Sequence, residues 1–384
     1  MDTLLELPQG RFQLKRWPQR KNELLRAWDA ADEYLLNHLA TNDRLAADAQ
    51  LCILNDSFGA LTLALHAHSP TAISDSFLSQ QATLNNFQLN AIDQTNVSLL
   101  DSLSLPATGI DYLLIKAPKT LALLEYQLHS LRPLLKPNSK IIVAGMVKTL
   151  PAGVWKLLER LIGPTQTSLA VKKARLIFAS LDPQLTLPVN PYPVQYRLEN
   201  TPNNMNIDLL ISNHANVFSR DSLDIGTRLL LQYLPENTNY RQLIDLGCGN
   251  GVVGLMLAKQ LADADITFVD ESFMAIASAQ QNFEQAFAGK RQATFVAGDC
   301  LTGFADQSAD CIICNPPFHQ QHAIGDHIAW QMFRQSHQVL RQGGELRVIG
   351  NRHLQYQQSL KKLFGDCEQV ASNAKFVIVK AIKR

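Results

Sequence analysis

No apolar run in the 384-residue chain reaches the ~18 residues that a helix needs to cross a bilayer. No charge sign dominates either. The 35 Lys and Arg stand against 34 Asp and Glu, a formal net charge of +1. The chain as a whole is therefore no polycation, and any contact with nucleic acid must come from local clustering. No cationic secretion signal leads it, because Met1–Asp2–Thr3–Leu4–Leu5–Glu6 is acidic, and a cytoplasmic location is expected. Cysteine is sparse: Cys52, Cys248, Cys300, Cys311, Cys314 and Cys367 show no finger-like pairing. Cys311 and Cys314 have C-x-x-C spacing, but on a strand such side chains point to opposite faces. No second Cys/His pair completes a tetrahedral site, so buried reduced thiols and no metal are expected.

What is present suffices for full cores, with 46% hydrophobic residues against 18% charged. The length is about twice that of a typical domain, so two domains are expected. The most informative stretch is Ile312–Ile313–Cys314–Asn315–Pro316–Pro317–Phe318, an apolar strand running into Asn-Pro-Pro-Phe. A planar NH2 group, whether an exocyclic base amine or a side-chain amide, is a poor nucleophile because its lone pair is delocalised. The Asn315 side-chain carbonyl and the Pro316 backbone carbonyl can each accept one of its N–H groups and turn that lone pair toward an electrophile. Pro316 and Pro317 stiffen the turn and remove backbone donors. Phe318 offers a face on which a base stacks. Taken alone, the tetrapeptide reads equally well as a strand followed by an ordinary Pro-Pro turn.

A second signal lies upstream. Leu243–Ile244–Asp245–Leu246–Gly247–Cys248–Gly249–Asn250–Gly251 is an apolar strand ending in an acid and a G-x-G-x-G turn, and a helix start follows at Val252. Glycines let the backbone bend sharply and approach a ligand closely. Two more predicted strands end in acids: Ile266–Thr267–Phe268–Val269–Asp270–Glu271, and Thr294–Phe295–Val296–Ala297–Gly298–Asp299. Asp270 is placed to accept ribose hydroxyls and Asp299 an adenine amine. A lone acid at a strand end is usually a helix cap. The ordered set lies at the carboxyl ends of successive strands, where an open α/β sheet binds ligands. These residues together resemble the class I S-adenosylmethionine-dependent methyltransferases, whose Asn-Pro-Pro-Phe branch methylates amino nitrogens.

The first half reads as a worn copy of the second. Leu51–Cys52–Ile53–Leu54–Asn55–Asp56–Ser57–Phe58–Gly59 lies over Leu243–Gly251, and only Gly59 survives of the three turn glycines. Ile73–Ser74–Asp75–Ser76–Phe77 parallels the stretch ending at Ser272–Phe273. Asp111–Tyr112–Leu113–Leu114–Ile115–Lys116–Ala117–Pro118–Lys119 parallels Asp310–Phe318, and Lys173–Phe178 is matched with Asn373–Ile378. Asn55 and Ser57 crowd the place of a nucleoside. Lys116 and Lys119 replace the Asn and the aromatic, and a lysine cannot accept a hydrogen bond. The first copy is therefore expected to be catalytically dead, with lysines suited to phosphate.

Residues 102–180 hold eleven bases against three acids, a local balance of +8, and Arg11–Lys15–Arg16–Trp17–Arg20–Lys21 adds charge beside an aromatic. If these bases share a face, a phosphate-binding surface results; scattered surface lysines are the plainer alternative. Four prolines between Leu181 and Pro193 suit an interdomain connector. The expected organisation is thus a degenerate domain at 1–182, a linker at 183–193 and a catalytic domain at 194–384.

The whole chain is similar to the bacterial two-domain ribosomal RNA guanine-N2 methyltransferases. The resemblance rests on Asn216–Val217–Phe218–Ser219–Arg220, Leu223–Asp224–Ile225–Gly226–Thr227–Arg228, Asp245–Gly251 and Asn315–His319. Trp28–Leu36, Leu54–Ala60, Lys116–Glu125, His319–His322 and Asn351–Leu354 resemble the large-subunit member of that family. The resemblance implies two tandem class I methyltransferase (Rossmann-like) α/β domains, the first degenerate and helping to bind RNA. It implies methylation of the exocyclic N2 of a guanine in 23S rRNA with S-adenosylmethionine, as naked RNA or an assembly intermediate. The donor site it implies comprises Asp245, Gly247, Cys248, Gly249, Asn250, Gly251, Asp270, Glu271, Asp299 and Phe218. The amine site comprises Asn315, Pro316, Pro317 and Phe318, and RNA contacts fall to Lys116, Lys119, Lys172, Lys173 and Arg175. His319 and His322 lie nearby with no assigned role. The alternatives are a small-subunit rRNA enzyme, an amino-methyltransferase of protein glutamine or DNA adenine, and a non-enzymatic RNA-binding relative.

Overall fold

The computed structural model describes residues 3–19, 23–43, 45–150, 152–199, 208–317 and 324–384. The chain divides into two units, Met1–Pro191 and Tyr192–Arg384. Among the described residues no helix is long and apolar enough to cross a membrane.

The first unit opens with a hairpin, β1 (Leu4–Leu7) and β2 (Gly10–Gln13), and a helix, α1 (Ala30–Asn42). There follow β3 (Leu51–Leu54), α2 (Ala60–Ala64), β4 (Thr71–Ile73), α3 (Phe77–Leu89), β5 (Ser98–Leu100), β6 (Ile110–Lys116) and α4 (Leu121–Leu131). The unit closes with β7 (Leu135–Met146), α5 (Gly153–Leu161), β8 (Thr165–Thr167) and β9 (Ala174–Ser180). Its sheet runs β5-β4-β3-β6-β7-β9-β8, with β9 antiparallel to both neighbours and the other ladders parallel.

The second unit follows the same plan. A hairpin of β10 (Val194–Glu199) and β11 (Asp208–Asn213) precedes α6 (Ile225–Leu230). Next come β12 (Gln242–Leu246), α7 (Val252–Gln260), β13 (Asp265–Asp270), α8 (Phe273–Ala286), β14 (Thr294–Ala297), β15 (Ala309–Cys314) and α9 (Ile324–Val339). The last elements are β16 (Leu340–Asn351), α10 (Tyr356–Phe364), β17 (Glu368–Ser372) and β18 (Phe376–Ile382). The sheet order is β14-β13-β12-β15-β16-β18-β17, again with only β18 reversed. Both sheets therefore read third, second, first, fourth, fifth, seventh, sixth. Their winding reverses between β3 and β6 and between β12 and β15, and a doubly wound sheet opens its ligand crevice at such a reversal.

The central strands β3, β6, β12 and β15 are buried on both faces, as parallel strands covered by helices are. Along β12, Leu243 packs on one side with α7 and α8, while Ile244 and Leu246 pack on the other with α9. Cys311 and Cys314 of β15 fall into those two separate clusters, as expected for a strand rather than a metal pair. Ser272 caps α8 by accepting the Ala275 N–H at 3.1 Å, and Ser76 does the same for α3 with Ser79 at 3.2 Å.

Ladder register makes the internal copy residue-specific. Leu51 pairs with Tyr112 as Leu243 pairs with Cys311, so Lys116 stands where Asn315 stands. Ile73 pairs with Leu54 as Val269 pairs with Leu246, so Ser74 stands in the place of Asp270. One correspondence needs correction. Ser180 faces Lys140 and Ile382 faces Glu345, which matches Ala174 with Phe376. The pairing of Lys173–Phe178 with Asn373–Ile378 is two residues off. A two-residue slip keeps every side chain on its own face, so the apolar pattern alone did not expose it.

Candidate active site

The glycine turn and the Asn-Pro-Pro corner leave adjacent strands. Leu246 is in register with Cys314, so Gly247 and Asn315 emerge side by side. A Cβ built on Gly247 would lie 3.7 Å from the Asn315 carbonyl oxygen. Gly247 has φ 73° and Gly251 has φ 76°, left-handed conformations that favour glycine. A Cβ on Gly251 would press to 2.9 Å from the Ala279 backbone, so glycine there lets α7 approach α8. A Cβ on Gly249 would meet nothing within 4 Å. The bend opens onto space rather than protein, which leaves room for a ligand, while the N–H groups of Gly247, Cys248, Gly249 and Gly251 are bonded to Val269, Asp270 and Cys248 within the protein.

The carboxylates hold this bend. Asp270 accepts the Gly249 N–H at 2.9 Å and the Ser272 N–H at 3.0 Å. It is half-buried, and burial raises its pKa against the N–H groups that bond it. Asp245 is buried and accepts the Gly254 N–H of the first turn of α7 at 2.7 Å. Burial pushes its carboxyl up to about 7, opposed by that N–H and helped by nearby Asp270. Asp299 accepts from Gln331 of α9 at 2.8 Å, and burial raises its pKa. Glu271 is exposed at the rim.

Asn315 is the chemically distinctive group. Its Nδ2 donates to Thr227 Oγ1 at 3.2 Å. Its Oδ1 is buried and accepts from no described donor. An unpaired buried amide oxygen is costly, about 1–3 kcal/mol, so it marks a place where a ligand donor belongs. Thr227 is fixed in turn, since its N–H donates to Asp224 Oδ2 at 2.8 Å. Pro316 is buried and Pro317 half-buried. Phe318, His319 and His322 lie outside the described residues.

Some expected ligand groups are committed elsewhere. Asn250 Nδ2 donates to Tyr196 Oη at 3.1 Å and Asn213 Oδ1 at 2.9 Å, and its Oδ1 accepts the Val252 N–H. Its side chain ties the glycine bend to the β10–β11 hairpin and has no donor left for a ligand. Asn282 of α8 completes that tie through the Ser212 backbone and the Asn250 carbonyl. The Cys248 side chain sits in the apolar cluster with Val252 and Leu255, and burial drives its thiol well above the ordinary range. Its N–H donates to the Val269 carbonyl at 3.0 Å and its carbonyl accepts the Gly251 N–H at 2.8 Å, so its part is to shape the bend. Phe218 is 64% exposed. The sequence reading gave no individual role to Thr227, Tyr196, Asn213 or Asn282. Their partners are distant in sequence, and only Thr227 lay in a recognised motif.

The first unit has filled the matching place. Gly59 keeps the left-handed turn (φ 78°), and Asn55, with φ 62°, occupies the left-handed position of Gly247. Ile53 replaces Asp245 and joins the apolar cluster. Asp56 supplies the missing carboxylate from within the loop, accepting N–H groups of Gly59, Ala60 and Thr62 at 3.1, 3.0 and 2.9 Å. The Asn55 amide pairs reciprocally with Gln127 at 3.0 Å in both directions.

The RNA-contact expectation needs correction at Lys116. Its Nζ lies 2.8 Å from Asp29 and 2.7 Å from Asp32, with the side chain only 15% exposed. Burial alone would lower its pKa, but Asp32 and Asp29 outweigh it and hold the ammonium above the usual lysine value. Lys116 is spent on α1. Lys136, Lys140, Arg160 and Lys172 are also paired, with Asp111, Asp43, Glu125 and Glu33. Lys119 and Lys173 are exposed, and neither makes an ion pair among the described residues. They follow β6 and precede β9, at the carboxyl end of the parallel strands, the end at which the second unit carries its glycine bend.

Comparison with known proteins gives the following. Residues 2–183 match the family described as RLMG N-terminal domain, and residues 208–380 match Methyltransferase small domain. The chain is 48% identical to "Ribosomal RNA large subunit methyltransferase G" of Aeromonas hydrophila subsp. hydrophila, covering 100% of both chains. It is 49% identical to the protein so named in Pseudomonas fluorescens, over 99% of this chain and 100% of the other. A solved structure, the T. thermophilus 16S rRNA N2 G1207 methyltransferase (RsmC) in complex with AdoMet and guanosine, has a TM-score of 0.77 and 21% identity. It covers 100% of this chain and 98% of that one, and at this identity the likeness speaks to fold.

Proposed function

Because the chain belongs to the ribosomal RNA large subunit methyltransferase G family, we propose that it methylates the exocyclic N2 of a guanine in 23S rRNA. The observation that carries this reading is the buried Oδ1 of Asn315, which accepts from no donor among the described residues, beside the open glycine bend. S-adenosylmethionine, when bound, supplies an electrophilic methyl group. The residues present fit it. Asp270 takes ribose hydroxyls while pinning the bend, Gly249 leaves backbone room, and Asp299 sits at the end of the third strand for the adenine.

The chain's own work is positioning. The target guanine leaves its stack, and Asn315 Oδ1 and the Pro316 carbonyl each accept one N2–H. Thr227 holds the Asn315 amide so that its oxygen, not its nitrogen, faces the amine. Positive charge builds on N2 during transfer, and both carbonyl dipoles stabilise it until the proton leaves to water. Phe318 is assigned to stacking on the base from its place in the motif. The first unit contributes RNA contacts through Lys119, Lys173 and Arg175, with Lys172 beside them. An rRNA substrate, free or in an assembling particle, sets the location in the cytoplasm.

The test is methyl transfer from labelled donor to 23S rRNA taken from cells lacking the protein, followed by nucleoside analysis. N2-methylguanosine in 23S rRNA supports the reading. Label appearing only in 16S rRNA, DNA or a protein glutamine overturns it.

A further inference from the structure

We propose that the first unit carries a nucleotide-binding pocket of its own, built around Trp17 and separate from the glycine-bend site. A cavity of ≈ 330 Å³ lies between the segment after β2 and helix α3, lined by Lys15, Arg16, Trp17, Asn85, Gln88 and Leu89 among others. Its size falls in the range of small-ligand sites, about 300–1,000 Å³.

The cavity wall is held in place. Asn86 Oδ1 accepts the Lys15 N–H at 2.9 Å, and its Nδ2 donates to the Lys15 carbonyl at 3.0 Å and the Phe58 carbonyl at 2.8 Å. Asn90 ties Gln13 to α3 in the same reciprocal way, at 2.7 Å in both directions. Four hydrogen bonds from one helix thus clamp the strand exit that presents Trp17. The Arg16 guanidinium lies 4.5 Å from the Phe58 ring centroid, donates to the Arg26 carbonyl at 3.2 Å and stands 3.6 Å from the Glu23 carboxylate, so it is fixed at the rim with its charge largely balanced.

The lining chemistry selects the ligand class. Trp17 presents a half-exposed indole, and Leu89 is 37% exposed beside it. Together they give a flat π surface and an aliphatic edge for a base. Asn85 and Gln88, one helical turn apart on α3, offer amides that can both donate and accept at a base edge. Lys15 is exposed and makes no ion pair among the described residues. Among the described residues that line the cavity there is no carboxylate, and the nearest paired one is Glu23 on Arg16. An aromatic face, amides and a lysine that makes no ion pair among the described residues are parts that proteins use to hold single-stranded nucleic acid. The inference rests on RNA being the substrate, and it assigns an unpaired nucleotide of that RNA to this pocket.

The test uses the full-length protein and a fluorescent single-stranded decaribonucleotide, read by anisotropy at several salt concentrations. Trp17→Ala is expected to weaken binding about tenfold, the scale of one lost base stack, while Trp17→Phe keeps most of the affinity. Lys15→Gln is expected to weaken binding and to reduce its salt dependence. Indole quenching by uridine monophosphate, present in the native protein and lost in Trp17→Phe, checks the site where Trp17→Ala fails to fold. Native affinity in Trp17→Ala overturns the proposal, as does Trp17-dependent binding of a polyglutamate peptide without binding of RNA. Absence of N2-methylguanosine would sink the enzymatic reading and leave these binding results to decide the pocket by themselves.

Discussion

The amide nitrogen of Asn315 is bonded to Thr227 Oγ1 while its amide oxygen is buried with no described donor. The two ends of one side chain thus have different tasks. Thr227→Val removes the acceptor and frees the amide to turn. The expected result is a fall in kcat of roughly tenfold to a hundredfold, equivalent to losing an oriented hydrogen bond of about 1.5–3 kcal/mol, with donor affinity unchanged. Thr227→Ser restores most of kcat. Equal losses in the two variants would refute the positioning role.

Asp270 and Asn315 separate binding from chemistry. Asp270→Ala removes the carboxylate that pins Gly249 and is expected to raise the Kd for S-adenosylmethionine at least about tenfold, the scale of a charge-assisted hydrogen bond. Asn315→Ala is expected to leave that Kd near native and to abolish single-turnover methyl transfer. Calorimetry and quenched-flow measurement on the same preparations check both.

Asp245 gives a pH signature. Its folded pKa of about 7 lies above the ordinary value of 3.8, so between those values the folded chain holds a proton that the unfolded chain has lost. Its contribution to stability is therefore greatest at low pH, declines as pH rises from about 4 to 7, and levels off above. The decline is at most about 4 kcal/mol. Asp245→Asn keeps an acceptor for the Gly254 N–H and should flatten this part of the profile. Urea unfolding midpoints at pH 5, 6, 7 and 8 would measure it, and parallel profiles would refute it.

Lysines that look alike in sequence should behave differently. Lys116→Met leaves Asp29 and Asp32 without their cation, and breaking such a pair costs about 3–5 kcal/mol when buried. It is expected to lower the melting temperature of the chain. Lys119→Glu with Lys173→Glu should leave melting unchanged and weaken RNA binding in a salt-dependent manner. Thermal scans and RNA titrations across salt would show the two patterns.

Donor stoichiometry follows from the filled loop of the first unit. Calorimetric titration of the full chain should give one S-adenosylmethionine per chain, and Asn55→Gly with Ser57→Gly should not create a second site, because Asp56 still holds the amides. A second binding event in either protein would contradict this.

The strands at the site, β12, β13, β14 and β15, were legible because apolar runs ending in Gly, Asp or Asn-Pro-Pro mark strand ends directly, from Leu243–Gly251 to Ile312–Pro317, whereas β5, β7, β8, β16 and β17 carry no such signal and were not read. The fate of the lysines was not. Lys116 meets Asp29 across 87 positions and Lys172 meets Glu33 across 139, and a sequence reports charge without partner. The Thr227–Asn315 contact spans 88 positions and is hidden for the same reason. Asp56 was within reach, since an acid three residues before Gly59 suits a carboxylate receiving the next amides.

The carboxylate that Asp56 lends to its own loop has a consequence for the chain's history. A duplicate that merely lost a glycine could regain its ligand by one reversal. Here removing Asp56 strips the N-terminus of α2 before any gain arrives, while Ile53 and Ser74 would still lack the acids that the sister half uses. A donor site in this half would therefore need changes at Ile53, Asn55, Asp56 and Ser74 together, not the return of one glycine.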